Sequence, residues 1–453
     1  MKITADFNKY TGREIKPMHA AGQPPFAGRV FRWTHYFTEA GIPYSRLHDV
    51  GGTYGGNVFV DIPNIFRNFD ADETKEESYD FAFTDILITN LVKSGVEPFF
   101  RLGVGIENGY LIKAYRIYPP KDFKKWARIC EHIIRHYNEG WANGFNYNIT
   151  YWEIWNEPDS CFDKPRMDGM GMWLGTKEQY FELYEITSKH LKACFGDSIK
   201  VGGYASVGFC SAKKFPNQEV VENADNAEDF WLEFMHSFFK YITSGEHKCP
   251  IDFFSWHCYD DVKTIEYYSS YCRKMLQKYG LGDVPDFLNE WNPNPAYLKI
   301  KDKDNCAIAA HVFAVMLSMQ KGTTQMLNFY DSRMAVSAYC GMFNPETREP
   351  YKTYYAFSSF NKAYKLKKEV ETSSDNENVY VCGAANNKKA VLLIANINPQ
   401  DMEAEFDING VCTDDVDILM IDDIYRYTDT GKIIKDGKLT LPANSCVEIR
   451  FLR

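Results

Sequence analysis

The sequence predicts an α/β chain, a (β/α)8 TIM barrel followed by a C-terminal antiparallel β-sandwich. Three observations predict it. Between residues 44 and 330, eight short runs of β-branched and aromatic residues alternate with long amphipathic stretches, the pattern of a parallel sheet wrapped by helices. Four of the helical stretches stop directly at a glycine, which suits a left-handed C-cap. After about Leu366 the helical period disappears and short strand-like segments separated by turn residues take over.

The first helical pattern is FRWTHYFTEAG, 31–41, ending at Gly41. The candidate barrel strands are 44–48, 58–62, 97–102, 151–156, 200–204, 253–258, 286–290 and 325–330. Helical patterns lie between most of them, at 81–94, 122–138, 178–195, 229–244, 265–279 and 306–320. Only a Gly-rich stretch, 51–57, separates the first two strands, so a regular first helix is missing. A doubly wound sheet is the alternative architecture, but no GxGxxG follows the first strand. In the tail, 379–383, 390–397, 403–408, 416–421 and 438–441 with 445–452 read as strands. The expected organisation is residues 1–25 as an N-terminal segment joining the β-sandwich, 26–365 as the barrel and 366–453 as the sandwich.

Composition excludes several classes. The net charge of −10 lacks the positive footprint that nucleic acid requires, and it disfavours a polyanionic substrate. No run of about 18 apolar residues offers a membrane span. The N-terminus, MKITADFNKYTGREIKP, has neither an apolar core nor a small-residue cleavage site, so the chain reads as cytoplasmic. The 12 cysteines are scattered singly, which fits free thiols rather than a disulfide framework. His132 and His136 are four apart on a helix, but Ile133 stands where an HExxH site needs Glu. No metal site and no P-loop are expected.

The chemistry concentrates at strand ends. YWEIWNEPD, 151–159, places Asn156 and Glu157 at the C-terminal end of the fourth strand, which in a barrel is the active-site face. Glu290, in PDFLNEWNPN, ends the seventh strand, roughly opposite the fourth. Facing strand ends can hold two carboxyl groups the ~5 Å apart that a retaining glycosidase needs, with Glu290 as nucleophile and Glu157 as acid/base. Asn156 can hold a sugar hydroxyl. His257 and Tyr259, after the sixth strand, are placed to orient Glu290, and Arg46 and His48, ending the first, to steady it or bind a hydroxyl. Trp291 follows the nucleophile. Phe329 and Tyr330, at the end of the eighth strand, could stack on a sugar ring. Arg101 and Glu107 follow the third strand.

These residues resemble clan A of the glycoside hydrolases, and within it family 39, which contains β-D-xylosidases and α-L-iduronidases. The likeness rests on WEIWNEPD around Glu157, on Glu290-Trp291-Asn292 as a Glu-aromatic-Asn nucleophile pattern, and on His257-x-Tyr259. Arg46-x-His48 and the segment GMFNPETREPYKTYYAF add to it. It runs over about residues 26–365, with Pro293 standing where the family often has Thr or Ser. The resemblance implies a retaining double displacement on an oligosaccharide or glycoside, without metal or organic cofactor. It implies an exo-acting β-D-xylosidase first, with an arabinosidase, galactosidase or iduronidase beside it. A carbohydrate-binding protein without turnover is the reading from another class. A homo-oligomer is compatible with the sequence.

Overall fold

The computed structural model describes residues 1–25, 32–50, 60–105, 117–160, 171–217, 219–293 and 299–453. The chain opens with strand β1 (Lys2–Glu14) and the short β2 (Ala20–Gly22), then helix α1 (His35–Ala40). There follow β3 (Tyr44–Leu47), α2 (Ile62–Ile65), α3 (Ala82–Lys93), β4 (Glu97–Leu102) and α4 (Phe123–Asn138). Next come β5 (Tyr151–Ile154), α5 (Lys177–Phe195), β6 (Lys200–Ser206), α6 (Ala227–Thr243), β7 (Phe253–Cys258) and α7 (Val262–Lys278). Then β8 (Asp286–Trp291), α8 (Cys306–Lys321), β9 (Met326–Phe329) and α9 (Lys352–Leu366) complete this part. The remainder is β10 (Lys368–Ser374), β11 (Val379–Ala385), β12 (Lys389–Asn396), β13 (Met402–Asn409), β14 (Val416–Ile421), β15 (Arg426–Asp429), β16 (Lys438–Leu441) and β17 (Ser445–Leu452).

Strands β2 to β9 close in sequence order into a parallel eight-stranded barrel. The barrel differs from expectation at one strand. Of the expected strand 58–62, Val58 and Phe59 lie outside the described residues, Val60 and Asp61 are not in a strand, and Ile62 begins the one-turn helix α2. The first barrel strand is instead Ala20–Gly22, from the segment expected to join the sandwich, and it pairs with β3 on one side and β9 on the other. Three small residues carry no strand signal in a sequence. Only closure of the ring, with neighbours on both sides, makes them one. Arg46 and His48 therefore belong to the second barrel strand and its end, while Glu157 and Glu290 keep their places after the fourth and in the seventh.

Local chemistry sets the helices. Side chains of Asp122, Asn226 and Asp261 each accept a backbone N–H three residues on, and Thr176 and Gln179 form a reciprocal capping box. At the other ends Gly95, Gly196, Gly245 and Gly280 take φ of 76°, 55°, 52° and 73°, a region costly for any residue with a Cβ. Among the described residues no helix is long and apolar enough to cross a membrane.

The remaining nine strands form one curled sheet, in the order β15-β14-β17-β12-β11-β10-β1-β13-β16. β1 lies between β10, antiparallel, and β13, parallel. Period-2 alternation splits this sheet's residues between two cores. Leu392 and Ile394 of β12 join Ile3, Phe7, Ile418 and Ile449 in the sheet's own interior. Val391, Leu393 and Ala395, on the other face, join the large cluster of the barrel and its helices. A strand buried on both faces is apolar without alternation, which is why 390–395 reads as a continuous hydrophobic run.

Candidate active site

Inside the barrel, side chains stack in layers. The floor is aromatic: Phe99, Phe253 and Phe287 pack with Ala20 and Met326, against Tyr44 and Tyr151. Two residues further along each strand, on the same inward face, come Arg46, Arg101, Glu153, Ser255 and Asn289, all buried. This polar layer is knitted around Glu153. Its carboxylate accepts from Arg46 Nε (2.9 Å) and Nη2 (2.7 Å), from Ser255 Oγ (2.6 Å) and from Asn289 Nδ2 (2.5 Å). A buried carboxylate with this many donors is stabilising only while all are present. Glu153→Ala is expected to cost about 3–5 kcal/mol, because Arg46 would lose its main counter-charge inside the barrel. Denaturant titration checks this, and a loss under about 1 kcal/mol would mean that water replaces the carboxylate.

The two candidate carboxyl groups, Glu157 and Glu290, sit one layer higher. Arg46 reaches up as well as across: its Nη1 donates to Glu290 Oε2 at 3.0 Å and its Nη2 to Asn156 Oδ1 at 2.6 Å. Tyr259 Oη donates to the other carboxylate oxygen, Glu290 Oε1, at 2.5 Å. His257 lies between the two carboxyl groups, with Nδ1 2.7 Å from Glu157 Oε1 and Nε2 3.8 Å from Glu290 Oε2. Oxygen atoms of Glu157 and Glu290 come within 4.8 Å of each other. The backbone that presents Glu157 is strained. Trp155 and Glu157 have φ of 72° and 43°, and Ala205 beside them 56°. Bonds to the flanking strands hold this bend: Trp155 N–H to Leu102 O (2.7 Å) and Glu157 N–H to Ala205 O (3.0 Å). Asp159 ties the same loop to the fifth strand by accepting from Ser206 Oγ at 2.8 Å.

Burial shapes the charges. It raises Glu157 to about 7, with Arg46 opposing and Asp49 adding to the rise. Burial also raises Glu290, against His257, Arg46 and Tyr259, which favour its charged form. Only Glu290 receives donors from a guanidinium and a phenol, so when the pair holds one proton it belongs on Glu157. Burial holds His257 down to about 4, hence neutral, and together with Arg101 and Arg46 keeps His48 well below its ordinary value.

Most of the expected site residues converge here. Asn156 keeps its Nδ2, and His48 its Nδ1, without a partner, two buried polar atoms suited to sugar hydroxyls. Tyr330 lies at the rim, its hydroxyl on Asp49 at 3.1 Å and its ring edge-on to Tyr259 and Tyr339. Two residues do not converge. Phe329 is fully buried against Phe357 of α9, and Trp291 packs edge-on to Phe329, so both rings fill the layer between barrel and helices. Phe329 is thus no stacking platform. β alternation at β9 turns it outward and leaves the rim to Tyr330. Asn292 staples two loops, donating to the carbonyls of Tyr330 (2.5 Å) and Cys340 (2.7 Å). Arg101 Nη2 is paired with Asp61 at 2.5 Å, and Glu107 lies outside the described residues.

The sequence reading missed Glu153, Asp49 and Tyr339. Glu153 had a signal: a carboxylate in mid-strand, two residues from the floor residue Tyr151 on the same face. Tyr339 stacks on Tyr259 with centroids 4.8 Å apart, a contact between loops that no sequence spacing reveals. His132 and His136 have separate partners, the carbonyl of Arg128 and the carboxylate of Asp85. Among the described residues, Glu131, His190 and Cys194 also bring potential ligand atoms together, but Arg135 donates to the same Glu131 carboxylate.

The chain is similar to several known proteins. A β-xylosidase of Geobacillus stearothermophilus is 26% identical over 227 residues, which take in 47% of this chain and 38% of that enzyme. Among solved structures, a glucosidase from Croceicoccus marinus superposes with a TM-score of 0.77 at 16% identity, covering 100% of this chain and 98% of that one. A monomeric β-xylosidase from Caulobacter crescentus gives 0.68 at 16% identity, covering 99% of each chain. At such identities the two structures show the shared fold. The sequence model of glycosyl hydrolases family 39 matches residues 39–326, the whole arc from the helix before Arg46 to the last barrel strand. The chain belongs to glycosyl hydrolases family 39.

Proposed function

We propose that this protein is a retaining glycoside hydrolase, an exo-acting β-D-xylosidase that works by double displacement. The observation that carries the reading is the pair of carboxyl groups: within 4.8 Å across the barrel, one held for a charge and one for a proton. In the first step a Glu290 oxygen bonds the anomeric carbon as the glycosidic C–O bond breaks, and the Glu157 proton passes to the leaving oxygen. The product is a glycosyl ester on Glu290. In the second, Glu157 takes a proton from water, the water oxygen bonds the anomeric carbon and Glu290 leaves as carboxylate. Asn156 Nδ2 is placed for a hydroxyl of the bound ring. Xylose is favoured by the β-xylosidases among the relatives.

The test is turnover of aryl β-xyloside, α- and β-arabinosides, β-glucoside, α- and β-galactosides and α-iduronide by the wild-type protein. Release of single xylose units from xylo-oligosaccharides would support exo action. Preference for another glycoside would replace the sugar, and binding without cleavage would replace the enzyme with a lectin-like protein.

A pH dependence follows. Glu157 must be protonated for the first step and is held at about 7, so kcat/KM is expected to fall about tenfold per pH unit above that value. Glu290 must be ionised, so activity also falls on the acid side. A basic limb near pH 4 to 5, where an ordinary Glu titrates, would show that burial does not set the acid.

A further inference from the structure

We propose that His257 is the positioning residue that couples the proton on Glu157 to the charge on Glu290, by changing which of its ring nitrogens carries hydrogen. The proposal rests on the double-displacement reading above and goes beyond it, to how one carboxyl group serves as acid in one step and as base in the next.

The geometry is specific. The His257 side chain is fully buried at the end of β7, with Nδ1 2.7 Å from Glu157 and Nε2 3.8 Å from Glu290. Nε2 makes no well-formed hydrogen bond, and the Asn289 side chain beside the ring favours hydrogen on it. The other charged or titratable groups around the three residues are Arg46, His48 and Asp49 from the second strand and its end, Glu153 from the fourth strand and Asp159 after it, Tyr259 just past the strand of His257, and Tyr330 after the eighth. None of them hydrogen-bonds either ring nitrogen. A neutral imidazole has one N–H and one lone pair, so the ring can donate to only one carboxyl group at a time.

In the resting protein Glu290 is ionised between Arg46 and Tyr259. A lone pair on Nε2 would face that charge, so the hydrogen belongs on Nε2. Nδ1 then presents a lone pair to Glu157 at 2.7 Å, and such a short contact is favourable only if Glu157 carries the hydrogen. The ring thereby keeps Glu157 an acid. In the glycosyl-enzyme, Glu290 is a neutral ester and Glu157 has given its hydrogen to the leaving group. The charge that held hydrogen on Nε2 is gone, which leaves only the weaker, neutral Asn289 side chain beside it. Nδ1 takes a proton from water as Nε2 returns one, with no net change on the ring, and Nδ1–H now donates to the Glu157 carboxylate. When water attacks, Glu157 regains its proton, Glu290 its charge, and the ring its first tautomer.

The experiment is 15N NMR of protein labelled at histidine, in which the shifts of Nδ1 and Nε2 identify the tautomer. His257→Asn assigns the signal, and His257→Gln does so should the Asn variant not fold. Hydrogen on Nε2 is expected in the free wild-type protein. Hydrogen on Nδ1 is expected in Glu290→Gln, whose side chain is neutral, and in protein trapped with dinitrophenyl 2-deoxy-2-fluoro-β-xyloside. An Nδ1–H tautomer or an imidazolium in the free protein, or the same tautomer in all states, overturns the proposal. Trapping is verified by the mass gained on the Glu290 peptide. Its failure counts against the xylosidase reading, while the free protein and Glu290→Gln still decide the role of His257. In kinetics, His257→Asn is expected to move the basic limb of kcat/KM down by about one pH unit, since an amide N–H stabilises the Glu157 carboxylate. A purely structural role would lower the rate and leave the limb in place.

Discussion

Glu290→Ala is expected to lose roughly 10^4- to 10^6-fold in kcat on whichever glycoside the wild-type protein cleaves, with the fold intact. The size follows from what the residue does. In the proposed double displacement it forms the covalent bond, held for that task between Arg46 and Tyr259. Removing it also leaves Arg46 with Glu153 as its remaining charge partner, so the barrel interior stays compensated and the loss belongs to chemistry rather than to folding. Circular dichroism alongside turnover separates the two. Near-normal hydrolysis by a folded Glu290→Ala would remove Glu290 from the nucleophile's role and, with it, the double displacement.

Glu157→Ala is expected to show a different signature. Loss of the acid should cost about 10^2- to 10^4-fold on substrates with poor leaving groups, whose oxygen needs the proton. On a dinitrophenyl glycoside, which departs without help, the first step should be nearly normal. The glycosyl-enzyme should then accumulate, because the base that activates water is missing. A burst of dinitrophenol followed by a slow steady state is the expected time course, and azide, a small anion that needs no base, should speed the slow phase. Equal losses on good and poor leaving groups would mean that Glu157 positions the substrate rather than moving a proton. The contrast between the two variants is the stronger test, since a general loss of structure would affect both alike.

What was legible in the sequence was local. Glu157 could be found because a strand, a turn and a stop fall within nine residues, 151–159, and Glu290 because its strand ends in the same way. The glycine stops of four helices could be found because a left-handed residue needs no distant partner. The C-terminal strands could be found from apolar runs, although not that β12 is apolar because it faces two cores.

The misplaced barrel strand shows the limit. Ala20–Gly22 contains nothing that prefers a strand, and 58–62 contains a good deal, yet the ring closes through the former. Phe329 and Tyr330 are adjacent aromatics, and only the orientation of β9 sends one ring into the packing layer and the other to the rim.

The sequence by itself therefore determined the barrel with its appended sheet, the two carboxylates and the strand ends that carry them. Periodicity, caps and short motifs act within a few residues, where the chain's own geometry fixes what can form. Tertiary structure alone decided which charge each carboxyl group holds. Burial raises Glu157, and Arg46, on a strand 244 positions from Glu290 in sequence, favours the negative charge there. Electrostatic environment is a sum over neighbours brought together by closing the barrel, and no window of sequence contains that sum.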